Sequence, residues 1–155
     1  MSLDSVRAFF ANKAPDIPVI ESPLSSATVS LAAEAYGVAP GRIAKTLSLR
    51  LGERVVLIVT SGTSRLDNRK LKALFGVKPK MLGLEEVAEI TGHEVGGVCP
   101  FGLKTRLPVY CDLSLKAFDE VVPAAGSTHS AVRIAPSRLA ELTGAEWVDV
   151  CQHPS

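Results

Sequence analysis

From Arg42 to Thr60 the chain reads RIAKTLSLRLGERVVLIVT. The first half alternates apolar and polar positions, the second is apolar throughout, and Gly52–Glu53 lies between. This pattern predicts two strands joined by a tight turn, the second buried on both faces. Elsewhere the spacing changes to that of helices. DSVRAFFANK sets Val6, Phe9 and Phe10 on one face, with Asp4 as a candidate cap. SSATVSLAAEAYG carries a stripe of Val29, Ala32, Ala33 and Tyr36, with Ser25 or Ser26 as cap and Gly37 as stop. DNRKLKALFG and LEEVAEITG are bounded by Asp67 and Gly76 and by a glutamate-rich start and Gly92; Pro136 opens a last helix, PSRLAELTG. IPVIES, LPVYC, FDEVV, SAVRI and EWVDV read as further strands. Strands and helices are interleaved, and some strand pairs are hairpin-like. The predicted class is α+β, a single domain over residues 1–155 with a curved mixed β-sheet surrounded by helices.

Composition adds limits to this picture. The chain has 155 residues, enough for one domain with a sizeable core. Aromatic residues are only 5%, so the core must be built from Leu, Val, Ile and Ala. The net charge of +1 means that any nucleic-acid contact must come from a local patch. Cys99, Cys111 and Cys151 are odd in number, widely spaced and without a CxxC pair. That argues against a disulfide framework and a structural zinc site, and no metal or cofactor is expected. No signal-peptide pattern precedes the first helix and no apolar run is long enough to span a bilayer; the expected location is the cytoplasm, with no membrane partner.

Three features depart from ordinary packing. GGVCPFGLK, Gly96–Lys104, puts three glycines and a proline into nine residues, a rigid loop whose backbone can hold something small and polar. Lys45 shares strand parity with Ile43, Leu47, Leu49 and Leu51, a costly place for an ammonium. Either the strand begins only at Thr46, or Lys45 escapes past the sheet end, or it lines a pocket for an anionic or carbonyl-bearing ligand. Ser61-Gly62-Thr63-Ser64 follows the buried strand, where ligands often bind, although a capped turn reads the same way. It lacks the glycines and lysine of a phosphate loop. Arg65, Arg69, Lys70, Lys72, Lys78 and Lys80 form a basic stretch opposed only by Asp67, either a solvated helix face or a contact for tRNA phosphates. Cys99 has no His or acidic partner at a recognisable spacing, which speaks against a nucleophile.

AKTL at Ala44–Leu47, GGVCPFG at Gly96–Gly102 and AAGSTHSAV at Ala124–Val132, in that order, resemble the YbaK/ProRS-associated (prolyl-tRNA-synthetase insertion-like) editing domains. The resemblance covers nearly the whole chain. It implies a freestanding deacylase that hydrolyses mischarged aminoacyl-tRNA without a metal, with the acceptor end of tRNA and an aminoacyl-tRNA synthetase as partners and no DNA. Lys45 matches the family's functional lysine and Thr46 its pocket neighbour. Gly97, Val98, Cys99 and Pro100 match its Gly-x-x-Pro loop; Phe101 and Gly102 continue it, and Gly126 and Ser127 lie in the last motif. His129 stands where members acting on alanyl-tRNA(Pro) carry a functional histidine. Those members have asparagine after the lysine, whereas the cysteinyl-tRNA(Pro) deacylases share the threonine, so this chain combines two patterns. The implied catalytic residues are Lys45 and His129. Substrate contacts are expected from Thr46, Ser61, Gly62, the Gly97–Gly102 loop, Gly126 and Ser127, and tRNA contacts from Arg65, Arg69, Lys70 and Lys72.

An aminoacyl ester is already activated, and water is the second substrate. The protein need only hold the ester, orient water and stabilise the oxyanion. The terminal ribose's free hydroxyl or His129 would help activate the water. The alternatives are a tRNA-binding or synthetase-associated module without catalysis, and a protein that binds a free amino acid without turnover.

Overall fold

A computed structural model describes residues 2–152. In chain order its elements are α1 (Ser2–Lys13), β1 (Ile20–Glu21), α2 (Val29–Tyr36), β2 (Ile43–Leu51), β3 (Arg54–Ser61), α3 (Asn68–Phe75), β4 (Lys80–Met81), α4 (Leu84–Thr91), β5 (Val109–Asp112), β6 (Val122–Pro123), β7 (Ser130–Ala131), α5 (Pro136–Thr143) and β8 (Glu146–Val148). Short 3-10 helical turns at Pro40–Arg42 and Leu113–Ala117 complete them.

β2 and β3 form the predicted antiparallel pair, in register from Ala44 opposite Ser61 to Leu51 opposite Arg54. β5 adds to β3 in parallel and β8 to β5 in parallel, so the sheet is mixed and open, in the order β4-β2-β3-β5-β8. Every residue from Val56 to Val59 is fully buried. Leu57 and Val59 join α1 and α5 in one cluster with Val6, Phe10 and Leu139. Val56 and Ile58 point the other way, onto Leu71 of α3. Burial of each such side chain is worth about 1.5–3 kcal/mol, so β3 is the strand that ties both layers together.

The far edge of β2 is divided. β6 pairs with its start, at Ile43 and Ala44, and β4 with its end, at Leu49 and Arg50. Between them Lys45–Ser48 have no strand partner on that edge among the described residues. β7 turns away to pair with β1, while isolated bridges join Val121 to Ile134 and Ala124 to Ala131. The FDEVV–SAVRI pair is therefore real, but its two strands serve different sheets.

Local signals worked at most helix ends. Asp67 caps α3 through the amides of Arg69 and Lys70, and Gly37, Gly76, Gly92 and Gly144 close their helices in the left-handed conformation. Two ends differ. α1 begins at Ser2, leaving Asp4 inside its first turn. α2 is capped by Thr28, whose hydroxyl accepts from the Leu31 amide, because Ser26 is already bound to the Thr128 carbonyl. No helix among the described residues is long and apolar enough to cross a membrane.

Candidate functional site

The divided edge of β2 opens into a recess of about 140 Å³. Its floor is Ile43–Thr46, one wall is α2 with its lead-in from Ser26, another is β6 and β7, and Gly96 and Val98 close the side. Two of the sequence's separated features, the lysine strand and the glycine loop, meet here. The lead-in to α2 is held by the Ser22 and Ser26 amides, which donate to the carbonyls of His129 (2.8 Å) and Thr128 (2.6 Å).

Lys45 stands opposite Thr60, inside the strand, which begins at Ile43 and not at Thr46. Its half-buried side chain donates from Nζ to the carbonyls of Ser64 (2.6 Å) and Gly62 (3.3 Å). An ammonium has three donors, and these two bonds engage two of them. Burial pulls its pKa below the ordinary lysine value, and the neighbouring charge of Arg65 acts in the same direction. A charge with reduced hydration interacts strongly with whatever negative charge enters the recess.

In the floor of the recess the Thr46 hydroxyl is buried without a hydrogen-bond partner, and in its wall the buried Tyr36 phenol stands beside Ser26. Burial raises the Tyr36 pKa, with a hydrogen bond to the Ser26 side chain opposing and the Glu21 carboxylate acting in the same direction as burial. Orphaned buried hydroxyls are uncommon and costly.

The Gly96–Gly102 loop faces two ways. Gly96 and Val98 line the recess, whereas Gly97, Cys99, Pro100 and Phe101 are buried behind it. Phe101 packs on Phe10 and Phe9 with ring centroids 4.7 and 5.5 Å apart. The Ser5 hydroxyl donates to the Gly102 carbonyl (3.0 Å), and the Gly126 amide to the Gly97 carbonyl (3.0 Å). A Cβ at Gly97 would lie 2.5 Å from the Ser127 nitrogen, so only glycine allows this approach. His93 braces the loop from inside: its Nε2 lies 2.7 Å from the Phe101 carbonyl and 3.6 Å from Cys99 Sγ. Burial pushes the Cys99 thiol up to about 12, which keeps it protonated and unsuited to nucleophilic attack.

The remaining candidates lie around this centre. Ser61 is buried with its hydroxyl donating to the Gly41 carbonyl (2.6 Å), while Gly62 contributes the carbonyl that holds Lys45. Gly126 and Ser127 support the loop; the Ser127 hydroxyl pairs with that of Ser130 (2.6 Å), which does line the recess. His129 is exposed, bonded through Nδ1 to the Thr128 hydroxyl (2.9 Å), and is not among the lining residues. Arg65, Arg69 and Lys72 are exposed, whereas Lys70 donates to Asp149 (3.0 Å) and to the Cys151 carbonyl (2.8 Å). Sequence reasoning missed Tyr36, Ser26, Ser130 and His93. The first two were read as helix stripe and helix cap, and no local pattern distinguishes a stripe tyrosine from one whose phenol meets a cavity. No group of three or more His, Cys, Asp or Glu side chains gathers at a metal-binding spacing among the described residues.

Fold, recess and motifs together define a class. Residues 25–142 match the aminoacyl-tRNA editing domain family, and the chain belongs to it. It is 49% identical over 154 residues to the "Uncharacterized protein YwhH" of Bacillus subtilis, with 98% of each chain covered. It is 32% identical over 133 residues to the "Putative Cys-tRNA(Pro)/Cys-tRNA(Cys) deacylase EbsC" of Enterococcus faecalis, covering 84% of this chain and 79% of that one. Among solved structures, one described as "Crystal structure of a putative trans-editing enzyme for prolyl tRNA synthetase" superposes with a TM-score of 0.90 at 35% identity, covering 98% of both chains.

Proposed function

We propose that this protein is a trans-editing deacylase, which hydrolyses the ester of a small amino acid mischarged onto tRNA(Pro) or a similar tRNA. The observation that carries the reading is the recess itself: about 140 Å³, with half-buried Lys45 and the buried, unpartnered Thr46 hydroxyl in its floor. A volume of that order accommodates a small side chain. The names of the enterococcal relative and of the superposed structure support the same substrate class.

In this reading the aminoacyl group enters between the Gly96–Val98 loop and β2. Lys45 stabilises the negative charge that develops on the carbonyl oxygen as water adds to the carbonyl carbon. The tetrahedral intermediate then collapses, the ester C–O bond breaks, and the proton from water ends on the ribose oxygen. The products are the free amino acid and uncharged tRNA. Lys45 acts as an electrophile, its proton held by the Gly62 and Ser64 carbonyls. The ribose's free hydroxyl travels with the substrate into the recess, whereas His129 is outside the lining residues, so water activation is assigned to the ribose. No metal or cofactor is invoked. Arg65 follows Ser64 directly, which sets the basic face of α3 beside the lysine as the approach for acceptor-stem phosphates. A synthetase that produces the mischarged tRNA is the partner in this scheme, and the three free buried cysteines suit a reducing cytoplasm.

Deacylation of a panel of mischarged tRNAs tests the reading. Lys45→Ala is expected to lower the single-turnover rate by about 100-fold, the scale of one lost oxyanion donor. Inactive wild-type protein across the panel, or an unimpaired variant, would overturn it; tRNA binding without hydrolysis would indicate a binding module instead.

A further inference from the structure

We propose that the uncovered stretch of the β2 edge, with the apolar groove beside it, reads the terminal adenine of the substrate: its 6-amino group donates to the Thr46 carbonyl and the adjacent ring nitrogen accepts from the Ser48 amide. This inference rests on the deacylase reading and adds the place of the nucleoside that carries the ester.

The groove, about 210 Å³, lies between the edge of β2, the segment from β4 into α4, and residues 95–98 of the glycine loop. It shares Thr46, Gly96 and Val98 with the recess. An aminoacyl group held in the recess therefore leaves its ribose and base at this border. The backbone here lacks a strand partner: the register with β6 stops at Ala44 and that with β4 at Leu49. The Ser48 carbonyl accepts from the Leu82 amide (3.1 Å), so Ser48 turns its N–H and C=O to the outer edge. Residues of a strand alternate in the edge they serve, so Thr46 turns its own groups the same way. The Thr46 carbonyl and the Ser48 amide stand side by side along the groove, with no strand across from them among the described residues. Ser48 is 4% exposed, and buried backbone groups are nearly always paired.

Charge, shape and spacing decide the occupant. No charged side chain lines the groove, so it suits a neutral base and not a phosphate. Leu82 and Val87 are buried at its back, whereas Met81 (60%), Leu84 (69%) and Val95 (47%) hold apolar surface out to solvent at its rim. Such surface is the mark of a binding groove, and the faces of a purine cover it. An added strand is the common guest of an open edge, but β6 and β4 leave only residues 45–48 free, too short a run for one. A base needs one carbonyl and one amide. Adenine presents a donor beside an acceptor and matches that pair, whereas a 6-oxo purine sets oxygen against the Thr46 carbonyl. Sites built around such backbone groups reject analogues that lack the matching atom far more strongly than apolar pockets reject a missing methylene.

The test measures deacylation of acceptor-stem microhelices that end in adenosine, purine riboside or inosine, each chemically acylated with the same small amino acid. Purine riboside lacks the 6-amino group; inosine replaces it with a carbonyl and protonates the adjacent nitrogen. With wild-type protein, kcat/KM is expected to fall about tenfold for the purine riboside end and further for inosine. A second arm uses Met81→Ser with Leu84→Ser, which strips the apolar rim at exposed positions without adding charge. It should raise KM for the adenosine substrate about tenfold while Tm holds. Equal kcat/KM on all three ends, or an unaltered KM in the double variant, would overturn the inference. So would a concentration-dependent dimer in sedimentation that the double variant disperses, which would assign the groove to a second copy of the chain. In each of these cases deacylation itself stands. Wild-type protein inactive on every ester, the adenosine one included, would remove both proposals together.

Discussion

Lys45 and His93 share a situation, a titratable group among apolar neighbours, but they resolve it differently. Lys45 lies with its ammonium against two carbonyls, at 2.6 and 3.3 Å. His93 is 1% exposed, and its Nδ1 is buried without a partner. With Nε2 committed as donor to the Phe101 carbonyl, Nδ1 is an acceptor facing nothing, and a second proton would place an unpaired charge in the core. Burial therefore lowers the His93 pKa, with the Phe101 carbonyl opposing. The unfolded chain takes up this proton first, near pH 6.5. Stability from this group is thus full above about pH 6.5 and declines as pH falls from there toward the lower folded pKa. Denaturant midpoints at pH 7.5 and 5.5 should differ in that direction, and His93→Gln, which keeps a donor for Phe101 but does not titrate, should shrink the difference.

At the scale of elements, the recess exists because β2 is longer than either partner on its outer edge. β6 and β4 each cover two of its residues, and the glycine loop occupies the gap. The loop's position depends on backbone contact with the Gly126–Ser127 segment, at distances no side chain tolerates. Gly97→Ala is expected to cost about 3 kcal/mol, read as a drop in denaturant midpoint, since the Cβ at 2.5 Å from the Ser127 nitrogen forces two backbones apart. Strand lengths of two residues are hard to read from sequence. FDEVV and SAVRI had the right composition, but nothing local to them specified that one would extend β2 and the other would reach back to β1.

For the whole molecule, a net charge of +1 leaves the proposed tRNA docking to the local cations around α3. These are not equivalent. Arg69 and Lys72 are exposed, while Lys70 is held by Asp149 and the Cys151 carbonyl and ties α3 to the end of the sheet. Arg69→Glu with Lys72→Glu should weaken tRNA binding and flatten its dependence on salt by about one unit of log–log slope for each phosphate contact removed. Lys70→Glu should act mainly on stability. Filter binding between 50 and 200 mM salt, read beside thermal melts, separates the two effects.

How much of this was legible follows from the range of the forces involved. Helix caps, the β2–β3 hairpin, the doubly buried β3 and the lysine on an apolar parity are all written in residues a few positions apart, and periodicity and backbone stereochemistry act over that distance. The sequence by itself determined that a charged group and a rigid glycine loop had to be accounted for. Only the tertiary structure decided that they border one recess, that Pro100 and Phe101 anchor the loop instead of lining it, that His129 lies outside the lining, and that Tyr36 is part of it. Those outcomes depend on packing between segments up to about a hundred residues apart, where an alanine stripe, a two-residue strand and a carbonyl accept partners whose identity no local pattern encodes.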